Sequence, residues 1–138
     1  EHDLHGVFED FLKLNGIDQV TKEDLKGITN RIDPITYSLK YHFNYPRPYQ
    51  LALAHEISLY PTQPTNACSP SYPSGHAIDS HVLGGLLAQR FPQLKQDIDN
   101  LSERLSQSRI ISGIHYQHDA NFGKEIAQDI LALGILEI

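Results

Sequence analysis

The sequence is poor in cysteine, in cationic residues and in long apolar runs, and each shortage closes off a class of protein. A single cysteine, Cys68, excludes an internal disulfide framework and a multi-cysteine zinc site. The 11 Lys and Arg stand against 17 Asp and Glu, a formal net charge of −6. That balance argues against a nucleic-acid or anionic-membrane binder, since either needs a basic face. The longest apolar stretch, residues 130–136, falls far short of the ~20 residues that cross a bilayer. No integral membrane segment is expected, and Glu1-His2-Asp3-Leu4 shows neither a basic leader nor an apolar signal core. The expectation is a soluble protein; its compartment, cytoplasmic or periplasmic, is left open. Strand signals are scarce too, because no run sustains alternation bounded by hairpin dipeptides. No repeat, low-complexity tract or linker divides the chain, so residues 1–138 read as one domain, long enough to bury a core.

Helical periodicity is what the chain has in quantity. Leu4, Val7, Phe8, Phe11, Leu12 and Leu14 form a stripe that stops near Asn15-Gly16. Thr21-Lys22-Glu23-Asp24 reads as a helix start, with an acid three residues after a capping hydroxyl. A separate helix is expected from Asp33-Pro34 toward Tyr41, with Pro34 in its first turn. Arg47-Pro48 opens another, carrying Leu51, Leu53, Ala54 and Ile57, and the proline-rich residues 60–72 read as an ordered loop. Pro73-Ser74-Gly75-His76 then precedes an apolar helix through Val82, Leu83, Leu86, Leu87 and Phe91, interrupted by Pro92. Residues 94–105 suggest an amphipathic surface helix, and residues 115–136 a long final one flexed at Gly123. The fold class is all-α: a bundle of about six helices.

Three segments carry chemistry. Lys40 is followed by six residues and Arg47-Pro48; Pro73-Ser74-Gly75-His76 opens a helix; Ser108-Arg109 is followed by five residues, His115, three more, and Asp119. Taken singly, Lys40, Arg47 and Arg109 would read as surface charges. Together they suit an oxyanion, to which arginine offers two parallel donors. Ser74 and Gly75 stand at the start of a helix, where free N–H groups and the helix dipole favour an anion. The four-residue spacing of His115 and Asp119 puts both on one helical face. A carboxylate on one imidazole nitrogen fixes the tautomer and leaves the other nitrogen basic, which prepares an attacking histidine. His76 would be a second imidazole, able to protonate a leaving alkoxide.

These three segments, in this order and spacing, resemble the signature of the type 2 phosphatidic acid phosphatase and vanadium haloperoxidase superfamily. The resemblance spans Lys40 to Asp119 and extends to Gly113-Ile114-His115-Tyr116 and Gly123. It implies a helical bundle with the active site at one end. In that family the residues matching Lys40, Arg47 and Arg109 hold phosphate oxygens, and those matching Ser74 and Gly75 add donors. The match to His76 is the general acid, the match to His115 attacks phosphorus, and the match to Asp119 orients it. This chain departs from the family in having Gln117 and His118 where proline and a small polar residue often occur, and in lacking the membrane helices of the lipid phosphatases.

The activity so implied is hydrolysis of a phosphomonoester, or a pyrophosphate, through a phosphohistidine intermediate by a metal-independent acid phosphatase. The alternatives are a vanadate-dependent haloperoxidase and a non-catalytic phosphate-binding module. No cofactor is expected, although vanadate could occupy the phosphate site. The partner is a small phosphorylated substrate. Self-association into a homo-oligomer is a further expectation, because so short a bundle leaves apolar helix faces uncovered. The 8 histidines invite a metal reading through His115 with His118 or His76 with His81, but no His-Glu-x-x-His run or cysteine pair supports one. His42, His55 and His81 read as packing or surface residues. Tyr45 and Tyr49, which flank Arg47, read as a pocket wall or as core aromatics.

Overall fold

The computed structural model describes residues 3–59 and 68–138, and among them every regular element is helical. Helix α1 (Leu4–Leu14) starts where the Asp3 carboxylate accepts the Gly6 N–H. It buries Leu4, Phe8 and Leu12, one per turn. Leu14 falls off that stripe and is 87% exposed, because two residues beyond Leu12 a helix has turned by more than half a circle.

Helix α2 (Lys22–Phe43) begins at the expected capping box. Thr21 Oγ1 accepts the Asp24 N–H, and the Asp24 carboxylate accepts the Thr21 N–H. The separate helix expected at Asp33-Pro34 does not exist, since α2 runs through Pro34 without a break. Both Pro34 and Asn30, whose carbonyl loses its donor, lie on the exposed face, where that carbonyl is open to solvent. The opposite face holds the buried stripe Leu25, Ile28, Thr29, Ile32, Thr36 and Lys40. Asn44 ends the helix in the left-handed region at φ 55°, its N–H on the Lys40 carbonyl.

Helix α3 (Pro48–Ala54) stops short of Ile57 and has only 7 residues. Helix α4 (Gly75–Arg90) starts at Ser74, whose Oγ accepts the Ala77 N–H. It buries Ala77, Ile78, Val82, Leu83, Leu86 and Leu87, almost all round its circumference, and is the central helix. A 3-10 turn (Pro92–Leu94) leads into α5 (Lys95–Ile111), and α6 (Gln117–Ala132) closes the described chain. Among the described residues the bundle is therefore five helices of 11 residues or more, plus short α3, against the expected six or so. Helices α2, α5 and α6 pack around α4. Two glycines let them close in: a Cβ at Gly84 would sit 2.0 Å from Ser102 Oγ, and one at Gly85 would sit 2.3 Å from Leu131.

Two boundaries moved in ways that matter for the site. Helix α5 extends six residues past Leu105, so Arg109 occupies its last turn. The final helix starts at Gln117 instead of residue 115, leaving His115 in the connection ahead of it, and ends at Ala132 instead of residue 136. Gly123, the expected point of flexure, lies inside α6 at a close packing contact. A Cβ there would lie 2.8 Å from the Ser74 carbonyl and 2.9 Å from Ala77, so the glycine lets α6 pack on the start of α4.

Candidate active site

Four pieces of chain meet at the end of the bundle where α2 finishes and α4 and α6 begin. The last turns of α2 supply Lys40, and the residue capping α3 supplies Arg47. The turn into α4 supplies Ser71, Ser74 and Gly75. The end of α5, the connection after it and the first turn of α6 supply Arg109, His115 and Asp119 in turn.

His115 is held from both sides. Its Nδ1 lies 3.1 Å from Asp119 Oδ2 and 3.5 Å from Ser71 Oγ. A carboxylate can only accept, so Nδ1 carries the proton and Nε2 presents its lone pair. Arg47 Nη1 donates to that lone pair at 3.1 Å. Asp119 is fully buried; its Oδ2 also accepts from the Tyr116 N–H at 2.8 Å and from Ser71 Oγ. The expected pairing of His115 and Asp119 is present, but Tyr116 is extended between them, so the pair spans a helix N-cap and not one helical face.

The cations converge on the same place. Lys40 is only 4% exposed, and its Nζ donates to the Pro70 carbonyl at 2.8 Å. Its stem runs past the start of α4, where a Cβ on Gly75 would lie 3.6 Å from Lys40 Cε. Arg47, 3% exposed, donates from Nε to the Ser69 carbonyl at 2.9 Å and from Nη1 to the Ile114 carbonyl at 3.2 Å. Arg109 is half-buried. Its carbonyl accepts the Ile114 and His115 N–H groups, and its buried Nε has no hydrogen-bond partner among the described residues. A buried guanidinium donor left unpaired is costly unless something arrives to accept it.

Burial and these charges set the proton affinities. Burial first, with Arg47 and Lys40 adding to it, pulls His115 down to about 4 against the opposing pull of Asp119. Burial, and then Arg47, brings Lys40 down to about 8. Burial pushes Asp119 upward, but hydrogen bonds from His115, Ser71 and the Tyr116 N–H outweigh it and hold the carboxyl below its ordinary range. At neutral pH the site thus combines a neutral imidazole, a carboxylate and three cations.

Of the expected donors at the start of α4, Ser74 is already engaged. Its N–H goes to the Asp119 carbonyl at 3.0 Å and its Oγ accepts from Ala77, leaving only the hydroxyl proton to offer. Gly75 is the first residue of α4, and its amide has no acceptor within the helix. His76 is half-buried in the same first turn. His81 is not gathered with it: it faces Glu103 at 3.7 Å, beside α5 and α6.

The PAP2 superfamily profile matches residues 25–128. The chain belongs to the PAP2 superfamily. Two similar proteins are a non-specific acid phosphatase of Salmonella typhi, 32% identical over 91 residues, and one of Salmonella typhimurium, 30% identical over 91 residues. Each alignment covers 66% of this chain and 36% of the relative, so the matched stretch spans about a third of those proteins. Among the described residues of this PAP2 chain no helix is long and apolar enough to cross a membrane.

Ser71 and Asp79 have no role in the sequence reading, and His118 enters it only as a departure from the family pattern or as a metal ligand. Ser71 bridges His115 and Asp119 from the loop before α4. Asp79 lies one turn along α4 from Gly75, its Oδ1 enclosed without a hydrogen-bond partner among the described residues. His118 lies against the carboxylate of Asp119. Local spacing carries no signal for Ser71, which acts across the chain, and the contact of His118 with its neighbour Asp119 depends on side-chain direction, which spacing does not give. The expected loop over residues 60–72 lies outside the described residues for 60–67. Tyr45, which flanks Arg47, is part of an aromatic group with Phe43, Tyr72 and Phe122.

Proposed function

We propose that this chain is the catalytic part of a metal-independent acid phosphatase that hydrolyses a small phosphomonoester, or a pyrophosphate, through a phosphohistidine on His115. The observation that carries the reading is the double engagement of His115: Nδ1 on Asp119 and Nε2 against a buried guanidinium. Membership of the PAP2 superfamily and the acid phosphatase relatives support the reaction class.

The roles follow. A phosphate group entering the site takes the donors of Arg47, Arg109 and Lys40, with Ser74 and Gly75 adding theirs. Arg47 turns from Nε2 to the phosphate oxygens, which frees the lone pair it was holding. Nε2 attacks phosphorus in line with the leaving oxygen. The P–O bond breaks as the P–N bond forms, and His76 gives its proton to the departing alkoxide. Asp119 balances the positive charge that grows on the ring. Water then attacks phosphorus, His76 takes a proton from it, and His115 leaves with its electron pair. The charge neutralisation that a metal ion would supply comes from the three cations, so no metal is needed. Neutral above about pH 4, His115 is ready to attack in mildly acidic solution.

The test is hydrolysis of para-nitrophenyl phosphate by the wild type and His115→Ala. Without the nucleophile the rate is expected to fall at least about a thousand-fold. Equal rates in the two proteins would refute the assignment.

A further inference from the structure

The two oxygens of Asp119 have unequal surroundings. Oδ2 takes His115, Ser71 and the Tyr116 N–H. Oδ1 is enclosed and receives no aligned hydrogen bond from the described residues. What stands beside Oδ1 is another imidazole, with His118 Nε2 at 3.3 Å. The carboxylate is wholly buried, whereas the His118 side chain is 61% exposed. His118 is thus a contact between this carboxylate and bulk solvent. Its ring is held in place, stacked on Tyr116 at 5.4 Å and 13° and tilted against Tyr72 at 5.5 Å. Those tyrosines adjoin His115 and Ser71 in the chain, so the ring rests on the two loops that build the site.

We propose that His118 is a positioning residue that shares Asp119 with His115, so that its proton sets how strongly the carboxylate pulls on the attacking imidazole. While His118 is neutral, Asp119 acts on His115 with its full charge and favours a proton there. Once His118 takes a proton, a positive charge lies at ion-pair distance from Oδ1. It offsets the carboxylate and repels a second positive charge on His115. Both effects keep His115 neutral further into acid, which extends the range in which it can attack.

The neighbours that could obscure this are few. Around His118 stand Asp119, Tyr116 and Tyr72, with Tyr45 and Glu125 acting on Tyr72. Around His115 stand Arg47, Lys40, Ser71 and Asp119. Arg47 and Lys40 stay charged, and Tyr72 and Tyr116 neutral, throughout the acid range.

The consequence for turnover rests on His115 being the nucleophile; the sharing of Asp119 does not. The experiment therefore reads both. Imidazole resonances of His115 are titrated by NMR in the wild type, His118→Asn and His118→Lys, without substrate. The acid limb of kcat/KM is measured in the same three proteins. In His118→Asn the His115 midpoint and the acid limb are both expected to rise, by about one pH unit. His118→Lys, which keeps a positive charge, is expected to hold both at or below the wild-type position. An unmoved His115 midpoint in His118→Asn overturns the proposal. A midpoint that moves while the acid limb stays still upholds the sharing of Asp119 and counts against His115 as nucleophile.

Discussion

Lys40 shows how the placement of one residue turns into a pH dependence. It reaches the site from within the bundle with the Pro70 carbonyl as its one hydrogen-bond partner among the described residues, and burial leaves it holding its proton only up to about pH 8. An anion that needs this cation should bind progressively less well as pH rises through that value. Inorganic phosphate itself gains charge between pH 7 and pH 8, which would strengthen binding to a cation, so a fall in affinity, and its absence in Lys40→Met, belong to the protein. Calorimetric titration with phosphate is expected to show affinity falling about tenfold between pH 7 and pH 9, since each pH unit above the pKa removes about nine tenths of the charged form. In Lys40→Met the affinity is expected to be low throughout and nearly flat. A wild-type affinity that stayed constant to pH 9 would show that Lys40 takes no part in holding the anion.

Among the elements, α2 is the instructive one. A proline read in isolation marks a helix start, and Asp33-Pro34 fits that rule well. It fails here because the cost of an internal proline depends on which face of the helix it occupies, and the stripe from Leu25 to Lys40 decides that face. Pro34→Ala is accordingly expected to stabilise the protein, by about 1–3 kcal/mol, in urea unfolding followed by circular dichroism. A loss of stability would show that Pro34 contributes packing beyond its backbone effect. The Thr21 capping box, the Arg47-Pro48 start and the apolar helix after Gly75 were legible because each rests on neighbours within one or two turns. His115 was placed on a helix because four-residue spacing suits one. An extended Tyr116 followed by a new helix brings the same two side chains together, and periodicity cannot separate the two geometries.

At the scale of the whole molecule, convergence of the three motif segments was legible only as a pattern of types and intervals. Ser71 was not, because its importance comes from a loop that meets Asp119 across the bundle, and His118, next to Asp119 in the chain, has its role from the way the first turn of α6 lays its ring beside that carboxylate. The fold also accepts an electrostatic cost. Burial first, then the nearby Asp33 carboxylate, raises Asp79 to about 8 despite the opposing charge of Lys40. The folded chain therefore keeps a proton that the unfolded chain releases near pH 4. Stability contributed by that proton is complete below pH 4 and is lost as pH climbs to about 8. Asp79→Asn removes this dependence. Its melting temperature is expected to match the wild type near pH 4 and to exceed it by several degrees at pH 8. Parallel melting curves across that range would mean that Asp79 ionises freely in the folded protein.

The account as a whole depends on phosphorus becoming bonded to one nitrogen. The direct measurement is to mix the protein with substrate, quench within the first turnover under alkaline conditions that preserve phosphohistidine, and map the phosphoryl group by mass spectrometry. The account predicts it on His115 and on no other histidine, and absent from His115→Ala. Steady hydrolysis with no phosphorylated peptide at any quench time, or with the group on another residue, would contradict it.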